Sequence, residues 1–329
     1  MLLGNGDGTF QAAKSYSSGG FHARSISATD VDGDGKPDLL VANSCVVAYP
    51  CGHGTVGVML GNGDGTFWAA QSYDSGGGGA SSIAVEDVNG DGRPDLLVAN
   101  ECRADRSTCG QRGFVGVLLG NGDGTFMAAQ SYSSGGTDAR SIAVADVNED
   151  SHLDLLVANF CRAPITKCFE DPNDHPSIVG VLLGNGDGTF QPAQSYKSGH
   201  AGAVSITVGD VDGDGGPDLL VANEGAIVLL GRFGTTTTLT SSQNPSVYGQ
   251  SVTFVATVSS GSLTPPSGTV TFRDGTNGLG VVTLNGGVAT LTKKGLAVGS
   301  HSITAKYNGA PAFLKSTSAA VIQVVNPAQ

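Results

Sequence analysis

Short runs of β-branched and apolar residues alternate with clusters of Gly, Asp and Asn along most of the chain. In the first complete repeat, such runs occupy residues 24–29, 39–42, 56–60 and 66–73. Each run has the length and composition of one strand, and the clusters between them are typical of tight turns. No segment has the pattern of a long helix. The chain is therefore predicted to be all-β, with short strands joined by turns.

Two motifs repeat in step with each other. The acidic motif DVDGDGKPDLLVAN begins at Asp30 and returns in related form at Asp87, Asp146 and Asp210. The motif LLGNGDGTF begins at Leu2, returns from Met59, Leu118 and Leu182, and decays to LLGRFGTT at Leu229. The period is about 60 residues, and four strands in each period are typical of a propeller blade. Residues 1–231 are therefore predicted to form a β-propeller of four blades.

Closure of this propeller can be predicted in two ways. Residues 2–16 could supply the outer strand that the fourth repeat lacks after Leu230, which would close a ring of four blades. Because Met1 stands in the middle of a repeat, the chain could equally be a fragment of a larger propeller. The closed ring is the slightly favoured expectation.

Each acidic loop has oxygen-bearing side chains at positions 1, 3, 5 and 9, and a backbone carbonyl is free at position 7. Such hard oxygen ligands suit Ca²⁺. The predicted ligands are Asp30, Asp32, Asp34, the Lys36 carbonyl and Asp38; Asp87, Asn89, Asp91, the Arg93 carbonyl and Asp95; Asp146, Asn148, Asp150, the His152 carbonyl and Asp154; and Asp210, Asp212, Asp214, the Gly216 carbonyl and Asp218. An EF-hand does not fit, because valine stands at position 12 and a strand follows. Up to four Ca²⁺ ions are predicted.

Charge density supports the prediction of a cation over the alternative that these are ordinary turns. Fourteen of the 29 acidic residues occupy the predicted ligand positions, and grouped carboxylates repel one another without a cation. The third loop has Glu149 and Ser151 where the others have turn-forming glycines, so its site is predicted to form but to bind more weakly.

The NGDG turns allow two interpretations. Their side chains could add ligands on the calcium rim, or they could simply form tight hairpins, which is the favoured interpretation. The residues concerned are Asn5, Asp7, Asn62, Asp64, Asn121, Asp123, Asn185 and Asp187.

Antiparallel pairing determines which loops share a rim. The acidic loops and NGDG turns should lie on one rim, and the loops after VAN should lie on the other together with links such as residues 17–22. All variation in loop length falls after VAN, which is typical of a ligand-presenting surface.

The six cysteines lie in the loops after VAN as the pairs Cys45 and Cys51, Cys102 and Cys109, and Cys161 and Cys168. Disulfides in an oxidising compartment are predicted; zinc is the alternative, but C-x-x-C spacing is missing.

Other functions find little support in the composition. A net charge of −12 with scattered basic residues argues against nucleic acid and anionic membranes, and no apolar run is long enough to span a bilayer. The six dispersed histidines form no catalytic motif, so no enzyme is predicted. The tyrosines Tyr16, Tyr73, Tyr132 and Tyr196 recur once per repeat. For them and for Trp68, packing between blades is favoured over stacking on sugars.

After a linker at residues 232–234, a different pattern begins. Residues 235–329 contain seven alternating segments, which are TTTTLT, SVTFVATV, GTVTFRDG, GVVTLN, VATLT, HSITAKY and AVIQVV. Seven short strands suit an immunoglobulin-like sandwich. Cysteine and tryptophan are absent from this segment, so an antibody-type disulfide core is not expected.

These motifs carry two family resemblances. DVDGDGKPDLLVAN paired with VGVMLGNGDGTF resembles the FG-GAP/VCBS repeats of integrin-α-like propellers over residues 1–231. SGTVTFRDGTNGLGVVTLNGGVATLT with VGSHSITAKYNG resembles bacterial Ig-like repeats, which act mainly as spacers. The first resemblance implies an extracellular, calcium-stabilised propeller, often in adhesion, although integrin-like rings have seven blades and this chain has four acidic loops.

The expected function is that of a secreted or cell-surface adhesion module that recognises an extracellular protein or glycan. No nucleic acid and no direct insertion into a membrane are expected. Met1 is not followed by a visible signal peptide. The rival expectation is the non-catalytic, carbohydrate-binding portion of a larger polysaccharide-active enzyme, and a third is a purely structural role in a surface assembly.

Overall fold

The computed structural model describes residues 1–46, 53–102, 112–161, 176–199, 202–213, 216–232, 234–260, 265–310 and 313–328. All helix and strand assignments in these ranges are β-strand, as predicted. They contain no helix of the length and hydrophobicity that a membrane span needs. The chain divides into two compact units, which are Met1–Val208 with Leu219–Leu229, and Gly209–Asp218 with Leu230–Gln329.

Four antiparallel sheets, each in chain order, form the repeats. The first contains β1 (Phe21–Thr29), β2 (Asp38–Cys45), β3 (Thr55–Met59) and β4 (Gln71–Asp74). The second contains β5 (Gly78–Glu86), β6 (Asp95–Cys102), β7 (Phe114–Leu118) and β8 (Gln130–Ser133), and the third β9 (Thr137–Ala145), β10 (Asp154–Cys161), β11 (Ile178–Leu182) and β12 (Gln194–Lys197). The fourth has three strands, β13 (Ser205–Gly209), β14 (Asp218–Ala222) and β15 (Ala226–Leu229).

The predicted fourth strand of the first repeat, residues 66–73, is wrong at its start. Asn62 N–H donates to the Thr66 carbonyl to close the NGDG turn, and Phe67 then makes only an isolated bridge to Gly61. Regular pairing with β3 begins at Gln71. The turn therefore takes residues that the apolar pattern alone had assigned to a strand.

The apolar run LLVA lies at the buried centre of each complete sheet. Leu96 and Val98 of β6 face a core shared with the first sheet, whereas Leu97 and Ala99 face a core shared with the third. Because neighbouring sheets cover both faces, the strand is apolar at consecutive positions rather than at alternate ones. Leu156 and Ala158 of β10 make the equivalent core with the fourth sheet.

The asparagine of VAN connects neighbouring sheets. Buried Asn43 donates from Nδ2 to the Ser18 carbonyl at 3.0 Å and accepts from Ser18 Oγ at 2.6 Å. Asn100 and Asn159 repeat this arrangement with Ser75 and Ser134, each of which lies in the link from the preceding sheet. A Cβ added to Gly57 would lie 1.8 Å from the Ser18 carbonyl oxygen, so this close approach requires glycine.

A closed ring of four blades is not observed. The fourth sheet ends at β15 without a fourth strand, and Ile26 on the first sheet is exposed whereas its counterparts in the other sheets are buried. The described residues form successive stacked sheets with a free face at each end. The predicted domain boundaries at residues 231 and 235 stay a prediction, and Phe233 of the predicted linker lies outside the described residues.

The second unit contains all seven strands predicted after residue 234. They are β16 (Thr235–Ser241), β18 (Ser251–Ser260), β19 (Thr269–Asp274), β20 (Asn277–Thr283), β21 (Val288–Lys294), β22 (Gly299–Tyr307) and β24 (Val321–Asn326), with the short β17 (Ser246–Val247) and β23 (Ser316–Thr317). One sheet has the order β16-β18-β21 and the other β17-β24-β22-β19-β20. Phe254, Phe272 and Tyr307 are fully buried in the core that these strands share. This arrangement matches the predicted sandwich.

His301 in this unit has an acceptor at each ring nitrogen. Nδ1 lies 2.6 Å from Asp274 Oδ2, and Nε2 lies 2.8 Å from the Ala297 carbonyl. Only the imidazolium form can donate to both. The Ala297 carbonyl, followed by Asp274, raises the pKa of His301 above its ordinary value.

We predict that His301 makes the stability of the second unit pH-dependent. A raised pKa in the folded state gives stability that is complete below the unfolded pKa of about 6.5 and is lost as the pH rises through the folded pKa. Calorimetric unfolding should therefore show a melting temperature of this unit that falls from pH 6 to pH 9. His301→Gln should flatten this dependence, and His22→Gln in the first unit should preserve it. An unchanged slope in His301→Gln would contradict the prediction.

Candidate metal centres

The acidic loop between β1 and β2 is folded by its own carboxylates. Asp30 accepts from Gly33 N–H and from Gly35 N–H, each at 2.7 Å, and Asp32 and Asp34 each accept from the N–H two residues later. The second loop repeats these bonds through Asp87, Asn89 and Asp91. The backbone N–H groups therefore hold the side-chain oxygens of the first positions inside the loop.

The aspartate at position 9 connects two loops of one rim. Fully buried Asp38 accepts from Val31 N–H at 2.9 Å and from Gly61 N–H, at the start of the NGDG turn, at 2.7 Å. Equivalent pairs of bonds are made by Asp95, Asp154 and Asp218. The sequence predicted these residues only as metal ligands, which stays a prediction. It did not predict the anchoring role, whose signal is a carboxylate directly before an apolar strand.

Carboxylate oxygens converge in two loops with the strongest negative charge. One oxygen each from Asp30, Asp32 and Asp38 lies within 4.8 Å of the others, and Asp210, Asp212 and Asp218 form the same group. Asp34 points one oxygen to Lys36 Nζ at 2.7 Å. In the second and third loops, an asparagine amide at position 3 donates to the aspartate at position 5. The donor set is hard and anionic, and it fits Ca²⁺.

Electrostatics in these loops favours a cation. Burial raises the pKa of Asp32, and the charges of Asp38, Asp34 and Asp30 raise it further. Burial and neighbouring loop carboxylates also raise the pKa of Asp95 and of Asp154. A divalent cation among these oxygens would remove the repulsion that disfavours their charged forms.

The third loop keeps the shape of the others without their glycines. Glu149 has φ 61° and Ser151 has φ 70°, close to the 76° of Gly33 and the 81° of Gly35. Ser151 N–H donates to Asp146 at 2.8 Å, as Gly35 does to Asp30. The loop therefore preserves its oxygen positions at the expense of backbone strain, because L-residues rarely adopt positive φ.

Some predicted ligands have no structural test. Asp214 lies outside the described residues, so the structure describes only part of the fourth loop. The carbonyls of Lys36, Arg93, His152 and Gly216 stay predicted ligands.

Hydrogen bonds within the NGDG turns satisfy their polar side chains locally. Asp7 accepts from Thr9 N–H at 2.9 Å and from Thr9 Oγ1 at 2.6 Å, and Asn5 Nδ2 donates to the same hydroxyl. These bonds lower the pKa of Asp7, and the equivalent bonds lower those of Asp64, Asp123 and Asp187. The geometry favours the hairpin-turn interpretation.

The aromatic residues of the repeats behave in two ways. Tyr16, Tyr73 and Tyr132 pack edge-on against a phenylalanine of the next sheet, at centroid distances of 5.4, 5.5 and 5.7 Å. This agrees with packing between blades. The same interpretation is wrong for Trp68 and for Tyr196, which are exposed.

The opposite rim carries a charged cluster that sequence analysis missed. Buried Asp138 has φ 58° and lies 2.6 Å from Arg140, which is 3.7 Å from Glu101 and faces the ring of Phe160. Asp138 Oδ1 and Arg140 Nε are buried without a hydrogen-bond partner, and burial raises the pKa of Asp138. No repeated motif marks this pair, because only the third repeat has both residues; the first repeat has Arg24 at the position of Arg140 but His22 at that of Asp138.

The cysteines begin the loops of this second rim. Cys45, Cys102 and Cys161 end β2, β6 and β10, and none of the described cysteines is a free thiol. Their predicted partners Cys51, Cys109 and Cys168 lie outside the described residues, so the pairing stays a prediction.

Comparison with known families identifies both parts of the chain. Residues 1–41, 45–98, 104–157 and 171–221 match the FG-GAP-like repeat, and residues 239–326 match the bacterial Ig-like domain, group 3. Human integrin alpha-IIb is 34% identical over 161 residues, which are 44% of this chain and 14% of that protein. The chain thus spans a small part of this relative's length.

Two solved structures are distantly similar. The V. cholerae biofilm matrix protein Bap1 is 14% identical, with 89% of this chain and 54% of that chain covered and a TM-score of 0.27. The extracellular domain of a one-component system from B. thetaiotaomicron is 11% identical, with coverages of 93% and 44% and a TM-score of 0.25.

We predict that Ser151→Gly stabilises the chain. Glycine adopts the positive φ of this position without strain, so the free energy of unfolding should rise by about 1 kcal/mol. Urea unfolding measures the change. Ser151→Ala is the matched control, because alanine keeps the Cβ and should give no gain. Equal stability of the glycine and alanine variants would refute the strain in this loop.

Proposed function

Because this chain belongs to the family of FG-GAP-like repeat proteins and carries a bacterial Ig-like domain, we propose that it is an extracellular adhesion module. In this proposal, Ca²⁺ in the acidic loops stabilises one rim of the stacked sheets, and the opposite rim binds a protein or glycan ligand. The module is non-catalytic, and it neither binds nucleic acid nor inserts into a membrane. The Ig-like domain serves as its spacer.

One observation carries the proposal, namely that the acidic loops and the NGDG turns form one hydrogen-bonded rim. Gly61 N–H binds Asp38 within the first repeat, and Gly124 N–H binds the Val31 carbonyl of the preceding repeat at 3.1 Å. A rim whose polar groups bind one another is suited to stability, which leaves recognition to the other rim.

The metal ion has a structural role in this proposal. Asp30, Asp32 and Asp38 would hold it in the first loop together with the Lys36 carbonyl, and equivalent residues would do so in the other three. Bound Ca²⁺ supplies positive charge and demands several oxygen ligands at once. The carboxylates supply those oxygens, and the N–H groups of Gly33 and Gly35 orient them.

The cluster on the opposite rim is the proposed ligand contact. Asp138 follows Thr137, which pairs with Cys161, so the cluster lies at the strand ends that carry the cysteine loops. Burying a charged group without all its hydrogen bonds is costly, and such groups concentrate at functional sites. Three local disulfides, Cys45–Cys51, Cys102–Cys109 and Cys161–Cys168, would hold the surrounding loops in place.

We predict that binding depends on Arg140. The whole chain, in Ca²⁺ buffer, should bind at least one member of a glycan array or of an array of extracellular proteins. Arg140→Gln should weaken that binding at least tenfold, and Glu101→Gln should weaken it less, because Glu101 contacts only Arg140 in the cluster.

Arg273→Gln is the control for the loss of one positive charge, since Arg273 is an exposed residue of β19 in the Ig-like domain. Circular dichroism checks that each variant folds. Absence of binding to both arrays, or equal binding by wild type and both cluster variants, would overturn the proposed recognition surface. Turnover of a polysaccharide would overturn the non-catalytic role.

A further inference from the structure

Each internal junction between sheets of the first unit is built from the same contact. Ile83 N–H donates to Ser25 Oγ at 3.3 Å, and the next two junctions repeat this bond at 3.4 and 3.3 Å. The repeated pairs are Ile142 with Ser82 and Ile206 with Ser141. A junction therefore joins two different faces, one that presents an isoleucine and one that presents a serine.

The isoleucine face of the first sheet has no sheet against it. Ile26 is 63% exposed, whereas Ile83, Ile142 and Ile206 are 8%, 7% and 5% exposed. A groove of about 450 Å³ lies over this face and is lined by Ile26, Leu39, Val41 and Met59, among others. In the internal junctions, the corresponding space is filled by the preceding sheet.

The fourth sheet presents the complementary serine face. Val228 of β15 is 45% exposed, whereas its counterparts Val58, Val117 and Val181 are 2%, 1% and 7% exposed because a following sheet covers them. Ser205, which corresponds to Ser25, is also exposed. The chain therefore carries both halves of one further junction, at opposite ends of the stack.

Strand edges at the two ends are complementary as well. Residues 14–17 lie over the first sheet as an outer strand would, with Tyr16 edge-on to Phe67 as Tyr73 is to Phe126. Backbone hydrogen bonds of 2.7 and 2.9 Å join Lys14 of this segment to Met1. The fourth sheet, in contrast, has only three strands. It lacks an outer strand beside β15, whereas in the first sheet β4 pairs with β3.

We infer that the fourth sheet of one copy docks on the first sheet of a second copy, head to tail. The internal register aligns Val58 with Gln71, so Val228 of one copy aligns with Lys14 of its partner. Residues 1–3 of the partner correspond in the repeat to residues 228–230. In the assembly, residues 228–230 of the first copy take the position that residues 1–3 of the partner occupy in the single chain. The contact is heterologous, and it buries the Ile26 face while it completes the sheet of β13, β14 and β15.

A second copy is the favoured occupant because the same chain supplies both faces and both strand edges. A foreign protein would need to match the serine position, the apolar face and the free strand edge together. This inference concerns assembly and does not depend on the proposed recognition surface, which lies at the strand ends.

Light scattering at increasing protein concentration tests the association. Wild type should reach at least twice the monomer mass, and Ile26→Asp should remain monomeric at every concentration because it buries a charge in the junction. Ile322→Asp places the same charge at an exposed isoleucine of β24 and should associate as wild type does. A monomeric wild type, or equal masses for the two aspartate variants, would overturn the inference.

Cysteine cross-linking tests the register and the source of the partner strand. A mixture of Lys14→Cys chains and Val228→Cys chains should form a covalent heterodimer under oxidation, since paired positions fall within disulfide reach. Lys294→Cys, at an exposed lysine of the Ig-like domain, replaces Lys14→Cys in the control mixture and should give none. If the double variant instead cross-links within single chains at high dilution, the chain closes on itself and the second copy is excluded.

Discussion

The first unit depends on a buried carboxylate that ends each acidic loop and begins each central strand. Asp38, Asp95 and Asp154 have no exposed surface, and each accepts one N–H from its own loop and one from the NGDG turn. A buried charge is tolerated only where such bonds compensate its lost hydration. The same oxygens lie beside the other loop carboxylates, so the group that anchors the rim also concentrates negative charge there. The fold and the proposed metal site therefore depend on the same residue type in each repeat.

Stacking of the sheets follows from the strand that this carboxylate begins. In the second and third sheets, the DLLVAN strand is apolar on both faces because each of these sheets lies between two neighbours. Its asparagine binds the serine in the link that precedes its own sheet, as Asn100 binds Ser75. One rim is thereby occupied by acidic loops and turns that bind one another. The other rim carries the cysteine loops and the Asp138–Arg140 pair, whose hydrogen bonding is incomplete. This difference between the rims is the physical basis of the proposed division between stability and recognition.

Sequence predicted the elements well where a pattern had one physical cause. Alternating apolar and polar residues predicted the seven strands of the Ig-like unit, and the repeated acidic motif predicted the position of the acidic loops. Sequence-based prediction failed where hydrogen bonds or packing contacts with other parts of the chain determine the structure. Thr66 closes the NGDG turn with Asn62, and regular strand pairing starts only at Gln71. Trp68 is exposed although Tyr73 of the same repeat packs on Phe126, and ring closure depends on contacts between distant sheets. The pairing of Asp138 with Arg140 left no periodic signal, because only the third repeat contains both residues.

The central claim is that a bound divalent cation holds the carboxylates of the acidic loops together. Calorimetry of the chelated chain, followed by addition of Ca²⁺, tests it most directly. Uptake should be measurable, and the melting temperature of the repeat unit should rise by about 5 °C or more at saturation. Asp32→Asn and Asp212→Asn together should reduce the uptake. A chelated protein that melts at an unchanged temperature and takes up no Ca²⁺ would contradict the account.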